Sequence, residues 1–112
     1  MSQINPQLQK ILDDFAQNSL PNGKNSNEYR NLIATVTASP VLTERLNTAA
    51  EKGYLDKLAV NKNPHAGASY NAAETRISIN LSQLKKLTKQ KSLIFQLGHE
   101  IQHGFFYYEQ GH

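Results

Sequence analysis

Three residues near the C-terminal end are of the types that do chemistry together: His99, Glu100 and His103, in the run Gly98-His99-Glu100-Ile101-Gln102-His103-Gly104. The surrounding segment, Ser92 to Tyr108, has the pattern of one continuous helix. Residues four apart on a helix lie about 40° apart around its axis, so the two imidazoles can meet at one metal ion. Glu100 is turned about 100° from His99 and stands beside such an ion rather than on it, which suits a general base acting on a metal-bound water. Ile94, Leu97, Ile101, Phe105 and Tyr108 form an apolar stripe centred on the opposite side of the helix. Gly98 and Gly104 weaken a helix and are expected where something packs closely on either side of the motif. A pair of solvated surface histidines is the plainer alternative. Average residue frequencies produce H-E-x-x-H by chance in roughly one of a few hundred chains of this size.

His99-Glu100-Ile101-Gln102-His103 resembles the signature of the zincins, the zinc-dependent metallopeptidases. The segment Gly67 to Asn80 is similar to the strand pair that zincins place before their active-site helix. The resemblance covers about the last fifty residues; the N-terminal half carries no such likeness. It implies that His99 and His103 are zinc ligands, that Glu100 is the catalytic base, and that the substrate is a peptide or protein. A strand running from Ala66 through Gly67 and Ala68 to Tyr70 would pair with an extended substrate by backbone hydrogen bonds. Tyr70, Tyr107 and Tyr108 are candidate oxyanion donors, although tyrosines so close to an apolar stripe also suit a core or an interface.

A catalytic zinc site takes three protein ligands and an open position. The candidates for the third are His65, Glu109 and His112. Glu109 falls ten residues after His99, the interval at which the metzincin branch has its third histidine, but Phe106 stands where that branch has a glycine turn. The other branch takes its ligand from a helix well downstream. The expectation is therefore the N-terminal half of a larger zincin domain, truncated after its active-site helix. Phe105-Phe106-Tyr107-Tyr108 would then be covered by later residues, by a second copy in a homodimer, or by an inhibitor or immunity protein.

The remaining residues must position this site. At 112 residues the chain has room for one core. Its charge of +3 and pI near 9.2 are too mild to imply nucleic acid, and the cluster Lys85, Lys86, Lys89, Lys91 reads as a solvated helix face. There is no cysteine and therefore no disulfide or thiolate site. No apolar run approaches membrane-spanning length, and the polar first twenty residues do not form a secretory signal. A cytoplasmic location or export by a signal-independent route is the expectation.

Asn5-Pro6, Ser26 and Ser39-Pro40 read as the starts of three helices, and Gly53 as the end of the third. Lys57 to Asn61, Ala66 to Tyr70 and Thr75 to Ile79 alternate as short strands. Asn80 with Gln83 resembles a capping box for a helix from Leu81 to about Thr88. The result is an α+β chain in three parts: a helical scaffold over residues 1–53, a small antiparallel sheet over 54–80, and helices carrying the motif over 81–112. Two functional expectations follow. One is a zinc metallopeptidase with Glu100 as general base. The other is a non-catalytic zincin-like interaction module, or a secreted bacterial effector or toxin domain, that binds a partner protein.

Overall fold

The computed structural model describes residues 3–62 and 67–110. The chain begins with three helices, α1 (Pro6–Ser19), α2 (Asn27–Ala38) and α3 (Pro40–Lys52). Each start is the expected cap. Asn5 Oδ1 accepts from Leu8 N at 2.8 Å, Ser26 Oγ from Tyr29 N at 3.0 Å, and Ser39 Oγ from Leu42 N at 3.2 Å. Such caps contribute about 1 kcal/mol apiece by satisfying amides that the helix leaves open. Gly53 closes α3 at φ 78°, its N–H reaching back to the carbonyls of Ala49 and Ala50. Asn5 also ties α1 to α3, because its N–H donates to Asn47 Oδ1 and its amide side chain to Asn47 O.

The sheet holds β1 (Lys57–Asn61), β2 (Ala68–Asn71) and β3 (Arg76–Asn80) in the order β1-β3-β2. The β2–β3 pair is antiparallel as expected, but β1 runs parallel to β3, so the sheet is mixed. Burial differs between the strands. Ile77 and Ile79 are fully buried, whereas the β1 residues Leu58 and Val60 are only half-buried. Strand β3, whose two isoleucines are fully buried, takes the centre. The second strand begins at Ala68; Ala66 lies outside the described residues.

Residues 81–88 do not form the expected helix. Two 3-10 turns, Leu81–Leu84 and Leu87–Lys89, replace it, separated by the extended backbone of Lys86. Asn80 Oδ1 accepts from the N–H and hydroxyl of Ser82, two residues on, instead of forming a capping box with Gln83. This local bond favours a turn over a regular helix. Asn31 Nδ2 then fixes the Leu84 carbonyl at 2.6 Å, and the Leu84 side chain enters the core.

The last element is α4 (Gln90–Glu109). Its buried line is Leu93, Leu97, Ile101 and Gly104, rotated slightly from the expected stripe. Ile94 and Phe105 are half-buried and Tyr108 is exposed. Gly104 draws the line round, because the Tyr70 ring of β2 packs on it. Helices α1 and α4 lie on the sheet, on β1 and β2 respectively, and α3 packs along α4. Leu8, Leu12, Phe15, Leu32, Leu55, Ile77 and Leu97 form the centre of one core. No helix among the described residues is long and apolar enough to cross a membrane.

Candidate metal centre

The core line of α4 fixes what its other face presents. His99 and His103 are exposed and Glu100 is half-buried. The two Nε2 atoms are 3.3 Å apart and the rings stand nearly perpendicular at 85°. Two nitrogen ligands on a tetrahedral zinc, each about 2.0–2.1 Å from it, are themselves about 3.3–3.4 Å apart. The pair therefore has the spacing that such an ion needs, a separation that a hydrogen bond between the two rings also gives, and the residue types fit zinc. A ligand atom from Glu100 lies within 4.8 Å of both, making His99, Glu100 and His103 a compact group able to hold a metal ion.

Glu100 is oriented from the sheet. Its Oε1 accepts from the backbone N–H of Tyr70 at 3.0 Å. The pleat explains this contact. Gly67 O accepts from Asn80 N at 2.8 Å, so alternate residues of β2 bond to β3 while Ala68 and Tyr70 turn their amides away from it. The Tyr70 ring packs on Gly104, where an added Cβ would stand 3.0 Å from its Cζ and Oη. The expectation of close packing thus holds at Gly104. It fails at Gly98, where nothing lies within 4 Å of an added Cβ. Gly67 rests against the carboxamide of Gln96, which would have to swing aside for a side chain there.

A cleft of about 580 Å³ opens beside His103 and Glu100, walled by Tyr70, Ala72, Phe106 and Tyr107. A second concavity borders His99, between Val41 and Leu42 of α3 and Phe95 of α4. Tyr70 and Tyr108, both expected oxyanion donors, give their hydroxyls to backbone carbonyls. Tyr70 donates its hydroxyl to Tyr54 O at 2.6 Å, and burial pushes its pKa up to about 12. Tyr108 donates to Ala72 O at 2.7 Å and stacks on Tyr54, with ring centroids 5.0 Å apart. Tyr107 remains on the wall of the cleft.

Glu109 does not join the metal group. Its Oε2 meets Lys52 Nζ and the Tyr54 hydroxyl, each at 3.1 Å, and the hydrogen bond from Lys52 holds its pKa below the usual carboxylate value. Its role here is to fasten the end of α4 to the end of α3. His65, His112 and Ala66 lie outside the described residues. Sequence reasoning missed Tyr54, the hub on which Phe105 and Tyr108 pack, and the Arg45–Gln102 bond that joins α3 to α4. It also missed Phe95, whose ring lies parallel to that of His99 at 6.4 Å; their i, i+4 spacing was the available signal. No protein-family model, curated protein or solved structure matches the chain. Geometry and residue chemistry are therefore the grounds for a functional reading.

Proposed function

We propose that the chain is a zinc-dependent metallopeptidase unit of zincin type that hydrolyses peptide bonds with Glu100 as general base. The observation that carries this reading is the 3.3 Å separation of the two Nε2 atoms beside a carboxylate oriented by the Tyr70 N–H. His99 and His103 would hold the ion through Nε2. Zinc, when bound, supplies Lewis-acid polarisation of the scissile carbonyl and makes water a stronger nucleophile at neutral pH. Glu100 takes the proton from the attacking water and passes it to the leaving amine. With one oxygen fixed by Tyr70, the carboxylate turns its second oxygen to that work without an orientational search. His65, His112 or a residue of a partner protein would complete the ligand set.

Elemental analysis after refolding with zinc tests the reading. The wild type should retain zinc well above background, and His99→Ala should lose it. Background zinc in the wild type would end the proposal.

A second reading has its own observation. Phe106, Tyr107 and Tyr108 are 53%, 44% and 40% exposed in consecutive positions beside the cleft. Aromatic residues of this kind anchor protein interfaces. In this reading the chain is an interaction module, or an effector domain held by an immunity protein, whose partner covers the end of α4. Partner binding that persists in the zinc-free His99→Ala protein would favour it.

A further inference from the structure

We infer that the corner where α2 meets the 3-10 turns before α4 is a docking surface for an acidic polypeptide segment that also carries apolar side chains. The inference does not depend on what the histidine pair does. Asn27 and Arg30 of α2 face Lys85, Lys86, Leu87 and Thr88 across an open depression of about 530 Å³. No carboxylate lines it, and the sequence from Thr75 to His99 contains neither aspartate nor glutamate.

The cations of this corner stand outside the ion pairs on the rest of the described surface, as do Arg45 and Lys62. Ion pairs among the described residues involve Lys10, Lys24, Lys52, Lys57 and Arg76. Arg30, Lys85, Lys86, Lys89 and Lys91 take part in none of them. Arg30 is nonetheless held in place, its guanidinium bonded to Asn25 O and Asn27 Oδ1. The lysines do not spread around a solvated helix, because no α-helix forms over residues 81–88. The 3-10 turns bring Lys85 and Lys86 to the depression beside Arg30, and the Asn31–Leu84 bond fixes those turns to α2.

The apolar component of the ligand follows from Leu87, which is 53% exposed in the midst of these cations. Carboxylates with a neighbouring aliphatic side chain satisfy both features. A single-stranded nucleic acid would need aromatic stacking platforms, and none lines the depression. A lipid surface would need a wider apolar face than one leucine. Lys91, Phe95, His99 and His103 follow at four-residue steps on α4, drifting only about 40° per step. Phe95 is 75% exposed, and Lys91 stands about 12 Å before His99 along the axis, at 1.5 Å per residue.

The test uses the full chain and a short fluorescein-labelled peptide alternating glutamate and leucine, followed by fluorescence anisotropy. Oligothymidylate and phosphatidylserine vesicles serve as competing probes. Peptide binding should weaken as salt is raised, and Lys85→Glu with Lys86→Glu should weaken it about ten-fold or more. Leu87→Ser should weaken it several-fold. Lys10→Glu with Lys24→Glu makes the same change in net charge elsewhere and should leave binding near wild type. The inference is overturned by absence of peptide binding, by equal loss in the two double variants, by an unchanged affinity in Leu87→Ser, or by tighter binding of the oligonucleotide or the vesicles. Circular dichroism confirms that each exposed-site variant is folded.

Discussion

The backbone N–H of Tyr70 donates to Glu100 Oε1 at 3.0 Å, so a strand edge rather than a side chain orients the carboxylate beside the histidine pair. The same residue packs its ring on Gly104 and donates its hydroxyl to Tyr54 O. Strand β2 and helix α4 are thereby fastened at one point, and the site inherits its geometry from that fastening.

Glu100→Gln should keep both the fold and the metal. The carboxamide has the same shape, and its oxygen can still accept from Tyr70, but it cannot take a proton from water. Hydrolysis should fall by about 10²-fold or more, the usual contribution of a positioned general base. Turnover of a quenched fluorescent peptide, measured beside zinc content, decides the matter. Equal rates in the two proteins would remove Glu100 from the mechanism.

The two glycines of the motif should respond in opposite directions. Gly98 has open space around an added Cβ, so Gly98→Ala should stabilise the chain by about 0.5–1 kcal/mol through helix propensity. Gly104→Ala gains the same propensity but drives a methyl group to 3.0 Å from the Tyr70 ring. Overpacking of that kind costs about 1–3 kcal/mol, so the net change should be destabilising. Urea unfolding gives both signs. Faster hydrogen exchange at the Tyr70 amide in Gly104→Ala, and not in Gly98→Ala, would show β2 lifting from Glu100.

The N-terminal scaffold was legible because its signals are local. Asn5, Ser26 and Ser39 cap helices whichever way those helices later pack, and Gly53 ends one by its own backbone freedom. The histidine pair was legible for the same reason, since an i, i+4 spacing fixes a shared face. What escaped depends on distant partners. The parallel pairing of β1 with β3 joins strands far apart in sequence, and the turn at Leu84 is held by Asn31 reaching across from α2. The Tyr70–Glu100 bond uses a backbone group that has no residue signature at all. The fates of Tyr70 and Tyr108 follow from where Tyr54 and Ala72 come to lie, which no spacing along α4 encodes.

Alkaline pH should destabilise the chain through Tyr70. Burial raises its pKa from 10.0 to about 12, with the charges of Tyr108, Asp56 and Tyr107 adding to the effect. A group whose folded pKa is raised contributes stability that is complete below its unfolded pKa and is lost as pH rises through the folded one. The contribution should therefore be intact at pH 9 and fade between about 10 and 12. Tyr70→Phe removes that titration and should flatten the decline, which urea midpoints across this range would reveal. An identical pH dependence in wild type and variant would exclude Tyr70 as its source.

The aromatic turn at the end of α4 should divide into packed and exposed members. Phe105 is half-buried, edge-on to Tyr54 at 5.4 Å with the Arg45 guanidinium 5.5 Å from its centroid. Its truncation to alanine should cost stability on the order of 1–3 kcal/mol, below the 3–5 kcal/mol of a fully buried phenylalanine. Phe106 and Tyr107 are 53% and 44% exposed, so serine at both positions should shift stability by no more than about 0.5 kcal/mol each. Binding should show the reverse order. If this turn is an interface, the wild type will associate with itself or with a partner as concentration rises, and the Phe106→Ser, Tyr107→Ser protein will sediment as a monomer. A loss of stability in that double variant as large as in Phe105→Ala would mean that the two side chains are packed within the monomer, and the turn would no longer qualify as a contact surface.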